Sequence, residues 1–202
     1  MRPLQNRVLP TGEIVSLPAR GRFMGNRGCL HDASQRLGVA RWRHPHWICC
    51  AIAFRGRQQT IMAPNRYTQL FFLDEAVALA AGHRPCAECR RDAYAAFRDA
   101  WEAAYGSRPK AEGIDRVLHA ARVRRDRSQI RIEADLATLP DGAFVLLEAG
   151  AALLWDGALL RFAPEGYGAR RPRGPDRRVT VLTPRPTLAV LTAGYRPEVA
   201  LA

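Results

Sequence analysis

Five cysteines, Cys29, Cys49, Cys50, Cys86 and Cys89, are the residues best able to do chemistry in this chain. Two of them form a C-x2-C pair within Pro85-Cys86-Ala87-Glu88-Cys89. At that spacing two thiolates can point at one ion while the turn between them offers backbone N–H groups to the sulfurs. A helix is expected to begin near Arg91, so its amino end lies beside the thiolates and favours their negative charge. The expected ion is Zn2+, in a structural or a thiolate-activating role. A closed tetrahedral site needs two further ligands. Cys50 is the expected third, with Cys49 as its alternative. Neighbours on a strand face opposite ways, so only one of them can meet the ion. Cys50 is preferred as the nearer to an expected hairpin. His31, Cys29 and His83 are the candidates for the fourth position, with His31 placed first. An odd number of cysteines in a chain expected to stay in the cytoplasm argues against a disulfide framework. Redox chemistry is disfavoured, because no thioredoxin-like run precedes the pair. Metal-free core thiols are the plain alternative.

Met24-Gly25-Asn26-Arg27-Gly28-Cys29-Leu30-His31-Asp32 is a second segment of interest. Its glycines, amide, guanidinium and imidazole could hold a phosphate and move a proton. His31 and Asp32 near an open metal position would make a zinc-dependent hydrolase or nuclease. Cys50 is the other catalytic candidate, as an activated thiolate. Ligand count separates these readings. Four protein ligands close the site, whereas three plus a water favour hydrolysis. A turn-rich surface loop is the plain reading of the same residues. Zinc deaminases need H-x-E, and none is present, since His31 precedes Asp32-Ala33 and His44 precedes Pro45-His46. No phosphate-loop, dinucleotide or serine-hydrolase motif appears. Arg66-Tyr67-Thr68 reads as a loop contact and His119 as a helix-surface histidine.

The elements that must position these residues follow from the pattern. Trp47 to Phe54 is strand-like, Arg55-Gly56-Arg57 turn-like, and Gln59 to Met62 a returning strand, which predicts a hairpin. Asp74 to Ala81 reads as a short helix ended by Gly82. A longer helix is expected from Arg91 to Tyr105. Tyr94, Phe97, Trp101 and Tyr105 make one aromatic stripe along it, expected to be core. Ile114 to Val123 is a further helix. From Ala143 onward strands dominate: 144–148, 152–155, 158–162 and 178–182, with Asp156-Gly157 as a hairpin turn. A basic, Pro-rich loop is expected over 169–176, and a last helix over 188–193 capped by Thr187. The expected fold is α+β. A mixed amino-terminal zinc-binding domain (1–123) with central helices precedes a small β-rich carboxy-terminal part (137–202).

Charge narrows the partner. The 202 residues carry 31 basic and 19 acidic side chains, a net +12. All but Lys110 of the basic residues are arginine, which a GC-rich codon pool would also produce. Location says more. Residues 1–60 hold ten arginines against Glu13 and Asp32, a surplus of +8, whereas residues 61–113 are balanced. Arginine forks with interleaved Phe23, Trp42 and Trp47 suit nucleic acid, and Arg20, Arg22, Arg27, Arg41 and Arg43 are the expected contacts. A solvated basic face with core tryptophans is the plain alternative. Hydrophobic residues at 48% exclude a disordered chain. No run of eighteen apolar residues suggests a membrane span. Met1 to Arg7 has no apolar leader, so a cytoplasmic protein is expected.

One stretch is similar to a known family. Phe71-Phe72-Leu73-Asp74-Glu75-Ala76-Val77-Ala78-Leu79-Ala80-Ala81-Gly82-His83-Arg84-Pro85-Cys86-Ala87-Glu88-Cys89-Arg90 resembles the zinc-binding domain of the Ada-type DNA repair proteins. The likeness lies in the A-A-G-x-R-P-C-x-x-C core and covers about a tenth of the chain. His83 stands where that family usually has an aromatic. In the family four cysteines hold zinc, and one accepts a methyl group from a DNA phosphotriester. The resemblance implies a zinc-stabilised fold, Cys86 and Cys89 as ligands, and DNA as the partner. The family's C-x3-C pair has no counterpart here, so the methyl-acceptor role passes to no residue. The reading is therefore a basic zinc protein that contacts nucleic acid, DNA first. A zinc-dependent hydrolase or nuclease is the alternative, and a zinc-stabilised interaction module without nucleic acid a further one.

Overall fold

Two six-stranded sheets and four helices make a mixed α+β fold, described over residues 3–201 of a computed structural model. The first sheet is built from β1 (Gln5–Val8), β2 (Ile14–Ser16), β3 (Phe23–Asn26), β4 (Ile48–Ala51), β5 (Leu70–Phe72) and β6 (Arg84–Pro85). Its order is β2-β1-β5-β3-β4-β6. β1–β5 and β4–β6 are parallel pairs and the rest antiparallel. The second sheet holds β7 (Ile132–Asp135), β8 (Phe144–Leu147), β9 (Gly150–Trp155), β10 (Ala158–Ala163), β11 (Gly166–Pro172) and β12 (Arg178–Val181). It is antiparallel throughout, in the order β11-β10-β9-β8-β12-β7.

The expected hairpin after Phe54 does not form. Both edges of β4 are already taken, by β3 and by β6, so residues 59–62 find no edge to pair with and run through turns. The expected basic loop is a strand as far as Pro172. β11 pairs with β10, and its exposed Arg170 and Arg171 give it no apolar alternation to read. The Asp156-Gly157 turn forms as expected, with φ of 45° and 72°, the left-handed pair of a type I′ hairpin.

The helices are α1 (Glu75–Ala80), α2 (Arg91–Tyr105), α3 (Ala111–Arg122) and α4 (Arg185–Thr192). α3 starts a turn earlier than its apolar residues suggest. α4 starts at Arg185 with Pro186 in its first turn, a position that needs no N–H, so Thr187 lies inside the helix rather than capping it. Within α2, Phe97 and Trp101 are buried, Tyr94 is half-buried, and Tyr105 is exposed. The aromatic stripe is thus core at its centre only.

α1 sits at the middle of the molecule. Its residues are buried on every side, which suits the all-apolar Ala76 to Ala80. Ala76, Val77 and Ala80 face a cluster containing Phe72, Phe144 and Leu153, whereas Leu79 faces another containing Phe97, Ile114 and Val181. Both clusters draw on residues before 123 and after 137, so the two expected parts share their cores. Asp74 caps α1 through Val77 N (2.9 Å), and its other oxygen accepts from Tyr167 (2.7 Å) and Ala200 N (3.0 Å). Gly82 ends this helix at φ +88°, and a Cβ there would meet Arg122 Cδ at 2.6 Å. Both facts require glycine.

Two buried ion pairs lock the framework. Arg90 Nη1 and Nη2 donate to Glu75 Oε1 (2.6 Å) and Oε2 (3.0 Å). Tyr195 and the Glu198 amide complete the Glu75 oxygens, at 2.6 and 2.9 Å. Arg84 reaches Asp115 on α3 in the same two-pronged way, at 2.7 and 2.8 Å. Removing one member of such a pair strands a charge in the interior, at about 3–5 kcal/mol. Glu75→Ala is therefore expected to lower the urea midpoint by that much stability. Arg57→Ala, which breaks an exposed pair with Glu88, should leave the midpoint unchanged.

Candidate metal centre and its cavity

The parallel pairing of β4 and β6 creates the site. Ile48 lies opposite Arg84 and Cys49 opposite Pro85, and Cys86 N donates to Cys49 O at 2.9 Å. This register sets Cys86 beside Cys50. The chain then turns back, with Arg90 N donating to Cys86 O at 3.2 Å, and carries Cys89 to the same place. The Sγ atoms of Cys50, Cys86 and Cys89 all lie within 4.8 Å of one another. That spacing suits three thiolates on one ion. Among the described residues, no further His, Cys, Asp or Glu atom joins the group.

Strand alternation sorts the adjacent pair. Cys50 faces the cluster, while Cys49 is buried in the core with Arg90 Nη1 at 3.7 Å from its sulfur. Burial and the Glu75 carboxylate hold the Cys49 thiol well above its usual value, which makes it inert. Within the cluster the charges divide unequally. Cys86 is held below the usual thiol range by a hydrogen bond from Cys50, against the effect of burial, with help from the Cys89 and Glu88 amides. Glu88 N lies 3.4 Å from its sulfur. Cys50 is pushed up, first by giving its proton to that bond and then by burial. Cys89 is pushed up by burial, against the Ala51 amide beside it. Of the three sulfurs, Cys86 is thus the one most readily ionised. A divalent ion would supply the charge that lets the other two ionise.

The other sequence candidates lie elsewhere. His31 uses both ring nitrogens. Nε2 is 3.2 Å from the Ala63 carbonyl and so carries the proton, and Nδ1 accepts from Thr68 at 2.7 Å. Its ring has no lone pair left for a metal. Asp32 is exposed and accepts the Ser34 and Arg36 amides, both at 2.9 Å, closing its own loop. Cys29 turns its sulfur toward His31 O at 3.7 Å. These three line a separate concavity of about 620 Å³. His83 is fully buried beneath Phe72 and Trp47, with ring centres 4.6 and 5.4 Å away. It packs as an aromatic would. Arg27 Nε donates to its Nε2 (3.0 Å), so Nδ1 holds the proton and donates to Ile48 O (3.1 Å). Among the expected nucleic-acid contacts, Arg20, Arg22, Arg41 and Arg43 are exposed, but Arg27 is buried.

Beside the thiols opens a cavity of about 500 Å³. Met24, Ile48, Ile52, Phe54, Ile61 and Phe71 supply its apolar wall. Asn26, Gln59, Gln69 and Tyr67 supply polar points, and Glu88 with Arg57 stands at the exposed side. Tyr67 donates to Gln59 Oε1 at 2.6 Å, and Gln69 fixes the Met62 amide at 2.7 Å. Sequence reasoning missed Tyr67, Gln59 and Gln69 as site residues. The loop from 52 to 69 has no periodicity that would announce a wall. No protein-family model, curated protein or solved structure matches this chain.

Single Cys→Ser changes at 50, 86 and 89 are expected to lose most bound metal, whereas Cys29→Ser and Cys49→Ser keep it. Full metal in Cys86→Ser, measured by elemental analysis, would refute the centre. A second expectation concerns acid. Burial holds His83 well below its usual value and lowers His44 and His119. The unfolded chain takes up these protons near pH 6.5 and the folded chain does not, so stability falls as pH drops through that value. The urea midpoint at pH 5.5 should lie below that at pH 7.5, both measured with chelator present.

Proposed function

We propose that this chain binds zinc through Cys50, Cys86 and Cys89 and keeps the fourth position open to the neighbouring cavity. The observation that carries this is the three-thiol cluster on a largely apolar cavity wall, without a fourth ligand atom beside it among the described residues. A soft, all-sulfur donor set suits zinc. Bound there, zinc supplies a Lewis acid and keeps the thiolates ionised. The protein's own residues do the rest. The apolar wall excludes water and selects a mainly nonpolar group, the amides and Tyr67 orient it, and Glu88, on the same lining, is the carboxylate available for moving a proton. The Ada-type resemblance supports the same ligands, since both of its matching cysteines belong to the trio. A hydrolase built on His31 and Asp32 gains no such support, because both are engaged elsewhere.

Nucleic acid as the partner is a second reading, favoured by the exposed Arg20, Arg22, Arg41 and Arg43 in the part of the chain with the largest positive surplus. Such binding should weaken steeply with salt.

The open position is tested by replacing zinc with Co2+ and recording the visible and charge-transfer spectrum. Added azide or a small thiol should shift the bands as it enters the fourth position. An unchanged spectrum means that the metal is closed off and structural.

A further inference from the structure

A second site lies on the other side of β4. Trp47 shares the side of Cys49, away from the thiol cluster, and is fully buried. Two arginines lie over its ring, with the Arg27 and Arg122 guanidinium carbons 4.0 and 3.9 Å from the ring centre. Both side chains are buried, at 1% and 2% exposure. Among the described residues neither has a carboxylate within 4.0 Å. Their partners are neutral. Arg27 donates to His83, Gly12 O and Ala81 O, and Arg122 to Gly82 O, Pro45 O and His119. Arg122 Nε is buried with no partner at all. The nearby Asp115 is already claimed by Arg84 and His46. Two interior cations without a carboxylate bonded to either are rare, because the charge has been taken from water and no ion pair has replaced it.

Arg27 also floors an open cleft of about 410 Å³. Arg41, Arg127 and Arg131 line its sides, with Trp42 half-buried on one wall. Arg131 donates to Thr11 O at 2.5 Å and Arg41 to Gly38 O at 2.8 Å, again carbonyls rather than acids. Glu13 is the single carboxylate of the lining, and it accepts from Thr11 at 2.8 Å. Four arginines against one acid leave a surplus of positive charge in a concave, partly dry place. That combination concentrates field on an anion. Gln129 Oε1, on the same lining, is buried without a donor, so the cleft also offers an acceptor for an O–H or N–H group.

The geometry points to a phosphate-binding site in this cleft. It takes a phosphorylated ligand with a planar base, the phosphate held between Arg41, Arg127 and Arg131 above Arg27 and the base against Trp42. The guanidinium forks match phosphate oxygens in pairs, and an indole face stacks on any base. Sequence reading placed Arg27 and Arg41 among scattered nucleic-acid contacts. The fold instead gathers them with Arg127 and Arg131 from beyond α3, 86 to 104 residues later in the chain. The site stands apart from the thiol cavity. The two share no lining residue, and the inference needs neither bound zinc nor a nucleic-acid partner.

The test uses the full chain, with tryptophan emission and calorimetry as readouts. The probes are inorganic phosphate, adenosine monophosphate and a short single-stranded DNA. Adenosine monophosphate is expected to change the emission and to raise the melting temperature. Equal binding by the mononucleotide and the DNA identifies a free nucleotide as the ligand. Binding of DNA at least about tenfold tighter identifies a strand. The double change Arg41→Gln with Arg127→Gln alters side chains at the cleft sides, so the fold should survive. It is expected to weaken either ligand at least about tenfold and, for the single-stranded DNA, to lower the salt slope by about 1.4. Glu13→Gln should tighten binding. Zinc-loaded and chelator-treated protein should bind the probes alike, which separates this site from the metal reading. The inference is overturned if none of the probes binds, or if the double change binds as well as wild type while Arg20→Gln with Arg22→Gln weakens binding.

Discussion

The thiol centre depends on where two arginines are held. Arg84 and Arg90 bracket the Cys86–Cys89 turn, and each is locked in a two-pronged, buried pair with a carboxylate on a different helix. Glu75 anchors Arg90 to α1, and Asp115 anchors Arg84 to α3. A turn of this length has little stability of its own. Pinned at both ends, it can present Cys86 and Cys89 to Cys50 at one spacing. Such pairs are poor contributors to net stability, because desolvation offsets most of the attraction. Their value here is positional. A hydrophobic replacement could fill the same volume but would not fix the direction in which the turn leaves β6. Arg90 also reaches Glu198, so the last strand-free segment of the chain is tied to the same point.

The first sheet separates two kinds of chemistry. On one side Cys50 and Ile48 face an apolar cavity with soft sulfur donors. On the other, Trp47 carries two guanidinium groups that, among the described residues, bond only neutral partners, behind an arginine-lined cleft. Burial acts in opposite senses on the two sides. It pushes the Cys89 thiol toward its neutral form and adds to the hydrogen bond with Cys86 that does the same to Cys50, and it lowers Arg27 to about 9 and Arg122 well below its usual value. Each face thus contains a cost that a ligand of the opposite charge would relieve.

Much of the local structure was legible in the chain. α2 begins and ends where its Arg91 and Gly106 suggest, α1 is ended by Gly82, and the Asp156-Gly157 hairpin forms in the second sheet. These rest on neighbours in sequence. The errors share a cause. The strand expected at 59–62 failed because β4 had no free edge, and β11 was missed because an exposed edge strand carries no alternation. Pairing partners are distant in sequence, and period alone does not reveal them. The cavity walls were missed for the same reason. His31 looked like a ligand in a suggestive loop, yet Thr68 and Ala63, more than thirty residues later, consume both its nitrogens.

The sequence by itself determined the helices, the tight turns, the C-x2-C pair and the placement of most of the positive charge before residue 61. Those follow from backbone preference, from spacing within one turn and from counting. Only the tertiary structure decided that Cys50 and not Cys49 meets the pair, that no candidate histidine does, and that Arg27 lies in the interior instead of on the surface. Each of these depends on which face of a strand is turned toward which neighbour. The parallel register of β4 against β6 sets that, between positions 36 residues apart in the chain.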